Sequence, residues 1–166
     1  MFRKMRRCKQ ELTFAEVEEI LAKVPTGVLA VHGEDGYPYT VPLNFVYDNG
    51  SIYFHCAKEG HKIDAIKSND KVSFCVIAKD AVVAKEFATD YYSVVAFGRA
   101  KILSSREEMV SALKLLNKKL APDFPMEGDK EIENSINHVC VVQIKVDYVT
   151  GKAAIEGIRD SVKEEK

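Results

Sequence analysis

The chain has 166 residues, 46% of them hydrophobic and 30% charged, with a formal net charge of -1. That balance fits one globular domain with a proper core and excludes a disordered chain. No apolar run approaches the length of a bilayer span, no apolar stretch follows the basic start as in a secretory signal, and near-neutral charge gives no global attraction to nucleic acid or an acidic membrane. The expectation is a cytoplasmic protein with no nucleic-acid or membrane partner.

Residues 1–12 form a basic arm with Arg3, Lys4, Arg6, Arg7 and Lys9. It reads as a solvated arm in preference to a nucleic-acid contact, with an anion contact across a subunit interface as a third reading. Thr13 to Glu16 is a capping-box pattern opening a helix whose apolar stripe is Phe14, Val17, Ile20, Leu21 and Val24. Pro25 and Gly27 stop it, and a short strand runs from Val28 to His32 before the turn at Gly33 to Gly36.

Tyr37 to Tyr47 alternates: Tyr37, Tyr39, Val41, Leu43, Phe45 and Tyr47 against Pro38, Thr40, Pro42 and Asn44. This predicts a strand with one polar face. Pro38 and Pro42 cannot donate to a ladder, so part of it must be an edge, a bulge or a place where something else meets the backbone. Asp48-Asn49-Gly50 is a hairpin turn leading to a strand over Ser51 to Ala57. Tyr53, His55 and Ala57 share one face of that strand, and Ile52, Phe54 and Cys56 share the other.

A short helix is predicted over His61 to Lys67, with Ile63 and Ile66 inward, and a buried strand over Lys71 to Ala78. Ala81 to Thr89 reads as a loop with a helical turn, and Tyr91 to Leu103 as a long strand. Ser105 to Leu120 is helical, with Met109, Leu113 and Leu116 as its stripe. Ala121 to Gly128 reads as a loop, Ile132 to Ile136 as a short helix, Val139 to Tyr148 as an alternating strand, and residues 156–166 as a frayed polar tail. About six short strands with interspersed helices favour a barrel: mainly β with flanking helices, one domain over 1–166. There is no βαβ rhythm and no GxGxxG, which argues against a Rossmann nucleotide site.

The chemistry-bearing stretch is the strand end followed by Gly60-His61-Lys62. A helix start offers unpaired backbone N–H groups, Gly60 permits close approach, and His61 and Lys62 add donors: the pattern of a phosphomonoester pocket, against the alternative of a solvated lysine. No CxxC is present. Cys56, Cys75 and Cys140 lie in apolar runs and read as buried hydrophobes. His55 and Cys56 point to opposite faces of a strand, a poor basis for a zinc site, so no metal is expected. No GxSxG elbow exists, and Cys56 next to His55 cannot act as a nucleophile–base pair.

Met1 to Arg7, Thr26 to Ala30, Tyr37 to Pro42, Ile52 to His55, Gly60 to Asp64, Lys71 to Ile77 and Tyr92 to Ala100 come in the order found in Nim-type 5-nitroimidazole-resistance proteins, which the chain resembles over roughly residues 1–150. Those belong to the FMN-binding split barrels related to pyridoxamine 5'-phosphate oxidase. The resemblance implies a six-stranded FMN-binding split β-barrel that works as a homodimer with FMN at the interface. By position it implies that Thr40, Val41, Pro42, Leu43 and Asn44 lie along the isoalloxazine. Phe54 and His55 would contact the flavin from the next strand, and His61 and Lys62 would hold the phosphate. Residues near Tyr91 to Val94 would reach over from the partner.

The arginine-rich C-terminus that pyridoxal phosphate recognition needs is missing; after Tyr148 the only arginine is Arg159. The implied activity is therefore reduction of a small oxidant such as a nitro-aromatic compound. The alternatives are a flavin-binding or storage protein without dedicated catalysis, and a related barrel that takes haem or a deazaflavin.

Overall fold

A computed structural model describes residues 1–154. One antiparallel sheet holds seven strands: β1 (Thr26–His32), β2 (Pro38–Asn44), β3 (Val46–Asp48), β4 (Ser51–Ala57), β5 (Lys71–Val83), β6 (Ala88–Ile102) and β7 (Val139–Ala153), in the order β2-β1-β5-β6-β7-β4-β3. Four helices accompany it: α1 (Phe14–Lys23), α2 (His61–Ser68), α3 (Arg106–Leu120) and α4 (Pro125–Ser135).

The terminal strands of that order, β2 and β3, are separated in sequence by Phe45 alone. One residue cannot cross an open seven-stranded sheet, where neighbouring strands lie about 4.8 Å apart. The sheet must therefore curl until its two edges meet at Phe45, which makes it a barrel with an open seam. Phe45 is fully buried, its amide donates to the Pro25 carbonyl at 3.2 Å, and its ring lies edge-on to Phe74 at 5.0 Å. The ammonium of Lys119 sits 3.9 Å above the ring and donates to the carbonyls of Leu21 and Val24 at 2.9 and 2.7 Å.

The interior is filled by the inward set of each strand: Leu29 and Val31, Ile52 and Phe54, Phe74 and Val76, Val94 and Ala96, Val142 and Ile144. Helix α1 adds Val17 and Leu21 to it. The predicted capping box is present: the amide of Glu16 donates to Thr13 Oγ1 at 3.3 Å, and the amide of Thr13 to Glu16 Oε2 at 2.7 Å. A second core, with Val46, Leu103, Leu113, Leu116, Ile132, Ile136 and Val141, joins α3 and α4 to the outer face of β3, β4 and β7.

Four expectations are corrected. The predicted strand Tyr37 to Tyr47 is two strands, broken where Phe45 turns inward, so the sheet has seven strands rather than six. Ala81 to Thr89 is mostly hairpin, since β5 and β6 stay paired to Val83 and Ala88, and the expected helical turn is there as a single 3-10 turn over Ala84–Glu86. Its tight turn carries no Gly, Pro or Asn signal, and Phe87 takes a left-handed conformation at φ 47, which is uncommon for a bulky residue. Ala121 to Gly128 is not all loop, because Pro125 occupies the first turn of α4, where a missing N–H costs nothing. Strand β7 runs five residues past Tyr148, to Ala153. The predicted tail, 156–166, lies outside the described residues.

Burial pushes the Lys119 ammonium down to about 8 from its usual 10.5. Lys119→Met strips two helix-end carbonyls of their donor and should lower unfolding stability at pH 7 by about 1–2 kcal/mol in urea titrations. Between pH 8 and 10.5 the unfolded chain binds the proton that the folded chain has released, so stability conferred by the lysine rises with pH. The gap between wild type and variant should widen across that window.

Candidate functional site

The register decides which groups face the seam. The amide of Gly33 donates to the Tyr37 carbonyl and that of Phe45 to Pro25, so on β2 the odd residues bond to β1. Pro38, Thr40 and Pro42 therefore turn their main-chain groups to the open edge. Both prolines stand where the missing N–H leaves no ladder bond unmade, and between them Thr40 holds the single outward amide. This is the edge that the prolines predicted.

On the other lip, the amide of Val146 donates to the Gly50 carbonyl, so Ile52, Phe54 and Cys56 turn their main chain toward β7. Strand β3 pairs with β4 only from Ser51 to Tyr53. The main-chain groups of His55 and Ala57 are left facing the seam.

Helix α2 starts between the lips. The ring of His61 stacks on Tyr39 of β2 at 4.3 Å. Burial pushes the Cys56 thiol of β4 up to about 11, and the positive charge of Lys62, the next residue of α2, opposes it only in part. Gly60, at φ 122, is the N-cap and carries no side chain to cap the helix. Its carbonyl takes the amides of Ile63 and Asp64 at 2.8 and 3.2 Å, and among the described residues the amides of His61 and Lys62 have no backbone acceptor. Two free amides, an imidazole and an ammonium at one helix start form a donor set that fits a phosphate.

The predicted residues divide. Thr40, Pro42, His55 and His61 are exposed, and Val41, Leu43 and Lys62 half-buried, all at the seam. Asn44 is pinned to β1, its side-chain nitrogen donating to the Pro25 carbonyl at 3.2 Å and Thr26 Oγ1 at 3.1 Å. Phe54 is fully buried in the barrel, with its main chain turned to β7, so it supports the lip from behind. Two residues were missed. Tyr39 looked like any inward position of an alternating strand. Cys56, read as buried, is half-exposed at the lip.

Among the described residues, the outer face of β1, β5, β6 and β7 carries no helix. Ala30, Ser73, Phe97 and Tyr148 form one row across it, and Val28, Cys75, Val95 and Thr150 the next. Phe2 of the basic arm stacks on Tyr148 at 5.0 Å, so the arm lies on this face through Phe2 and is not simply solvated. Beneath it is a cavity of about 540 Å³, bordered by Phe2, Ala30, Phe97 and Pro38 of β2.

This architecture, a curled antiparallel sheet with an open seam and flanking helices, is that of the split barrels. The chain belongs to the pyridoxamine 5'-phosphate oxidase family, whose profile matches residues 13–153. Its fold is similar to a protein assigned to 5-nitroimidazole antibiotic resistance from Bacteroides thetaiotaomicron, with 24% identity, TM-score 0.74, and 86% of this chain and 85% of that one covered. It is also similar to the flavocytochrome Anf3 from Azotobacter vinelandii (18% identity, TM-score 0.77, 92% and 73% covered) and to an FAD-binding protein from Mesorhizobium loti (24%, 0.60, 88% and 98%). No curated protein matches the chain. Among the described residues no helix is long and apolar enough to cross a membrane.

The register makes a sharp contrast testable. Thr40→Pro removes an amide that faces the open edge and should leave unfolding stability within about 1 kcal/mol of wild type. Val41→Pro removes a ladder bond to β1 and should cost about 1–3 kcal/mol. Equal losses in denaturant titrations would contradict the assigned faces.

Proposed function

We propose that this chain is an FMN-binding flavoprotein that acts as a homodimer and reduces small oxidants such as nitro-aromatic compounds. The observation that carries the reading is the start of α2, where His61 stacks on Tyr39 of β2, Lys62 follows it, and the amides of both residues have no backbone acceptor among the described residues. The phosphate takes that helix start. The ring system lies along β2, where Thr40 donates its amide and the carbonyls of Pro38, Thr40 and Pro42 accept. Val41 and Leu43 pack behind, and His55 offers its main chain from the opposite lip.

When bound, the flavin supplies one- or two-electron transfer. The chain orients it, and the imidazoles of His55 and His61 border the seam as proton donors to a reduced acceptor. Charge supports FMN over FAD: one helix start with one lysine matches a terminal phosphate. The bare outer face supports the homodimer. Ile77 and Phe97 on it are 58% and 39% exposed, and the cavity under the arm runs up to β2, so a second copy on this face would also wall the seam.

Purified protein should be yellow, bind FMN more tightly than FAD in fluorescence titrations, and elute as a dimer. Lys62→Ala removes a charge-assisted phosphate contact of about 1.5–3 kcal/mol and should weaken FMN about 10- to 150-fold. Unchanged affinity would put the phosphate elsewhere. Anaerobic NAD(P)H with a nitroimidazole should bleach the nitro chromophore faster than free FMN does; no excess over free FMN would leave a flavin carrier without dedicated catalysis.

A further inference from the structure

A second cavity, of about 440 Å³, lies on the far side of α2 from the seam. Ile63 and Lys67 line it, and at 3.6 residues per turn they stand about 200–240° around the helix from His61. The other walls come from the end of β6 (Ile102, Leu103), the start of α3 (Arg106, Met109) and the α4–β7 turn (Ile136, Asn137). Cys140 of β7 closes the floor.

The chemistry of this cavity is divided. The floor is apolar and buried: Ile63, Leu103, Ile136 and Cys140 are each less than one-tenth exposed. The mouth is cationic, with Lys58, Lys67 and Arg106, and among the described residues no carboxylate lines the cavity, while Arg106 also borders a separate hollow with Asp129 and Glu133. Lys58 donates to the Asn137 carbonyl, which fixes it at the rim. Lys67 and Arg106 form no ion pair among the described residues. Burial pushes the Cys140 thiol up, and the positive charges of Lys67 and Lys58, both lining the cavity, oppose it. The positive end of α3 opens at the same mouth through Arg106, whereas Glu107 and Glu108 of its first turn border a different hollow beside Asp48 and Tyr53. Three cations with no carboxylate among the described lining residues, set over an apolar floor of small-molecule size, call for a ligand with both characters.

We propose that this cavity is a second ligand site, separate from the seam, for a small amphipathic anion: an apolar body carrying one carboxylate or phosphate. The apolar part lies against Ile63, Leu103, Met109 and Ile136, and the oxyanion meets Lys67 and Arg106. Nothing in this depends on whether the seam holds a flavin.

The test is calorimetric titration of the purified, FMN-saturated chain with octanoate, phenyl phosphate and, as an uncharged control, 1-octanol. Saturable binding is expected for at least one of the two anions, about tenfold or more tighter than for octanol. The tighter anion assigns the head group. The double variant Lys67→Ala/Arg106→Ala changes two exposed side chains outside the core and should weaken the anion about tenfold or more while leaving flavin content and melting temperature unchanged. Met109→Trp, which fills the cavity, should abolish binding. Three results would overturn the proposal: no saturable binding of either anion, affinity indifferent to the loss of both cations, or displacement of the anion by added FMN.

Discussion

The structure turns on the single residue that carries the chain from one edge of the sheet to the other. Phe45 follows the last residue of β2 and precedes the first of β3, and these strands are the two ends of the sheet order. Its amide is tied to Pro25, its ring to Phe74, and Lys119 covers it from above. Burial of that ring brings the edges together without letting them pair. Were the crossing long, the sheet could lie open; were the edges in register, the barrel would close. One buried aromatic holds it between these states, and the seam follows.

An unpaired edge is ordinarily a hazard, because it templates strand addition. Here the hazard is managed by the same residues that make the seam a candidate site. Pro38 and Pro42 remove two of the amides that an incoming strand would need, leaving that of Thr40 between them. On the facing lip, β3 covers β4 through Tyr53 and leaves only its last residues bare. What survives is a few main-chain groups at fixed positions beside half-buried apolar side chains, a surface suited to a planar ring with polar edges. The start of α2 then lies against the β2 lip, where His61 stacks on Tyr39.

Much of this was legible in the sequence because it is written in local periodicity. Alternation from Tyr37 placed Tyr39, Val41 and Leu43 inward, the prolines marked an edge, and Gly60-His61-Lys62 marked a helix start with donors. The break at Phe45 was not legible, since the alternation runs smoothly through it; only the pairing of β2 with β1 and of β3 with β4 shows that two edges are involved. The full length of the β5–β6 hairpin is not legible for want of a Gly, Pro or Asn turn residue, and of α4 only the second half, expected from Ile132, is legible, because its first turn lies in a stretch that reads as a loop. Phe54 was assigned to the flavin by resemblance of position, yet the phase of its own strand already put it on the face of Ile52, which the barrel buries.

The distribution of charge completes the physical picture. A formal net charge of -1 gives no long-range attraction for anions. Around α2, however, Lys58, His61, Lys62, Lys67 and Arg106 gather with two helix starts and outnumber Glu59 and the helix's own Asp64, while other carboxylates sit in local pairs such as Asp70 with Arg99 and Asp129 with Lys114. Any preference for anions must then be exerted at short range, where backbone amides and partly desolvated lysines act in a lower dielectric and bulk salt screens less. Such a site discriminates by fit as well as by charge. On one side of α2 the fit is set by the two lips of a seam, and on the other by an apolar floor, so one short helix divides its cations between two differently shaped openings.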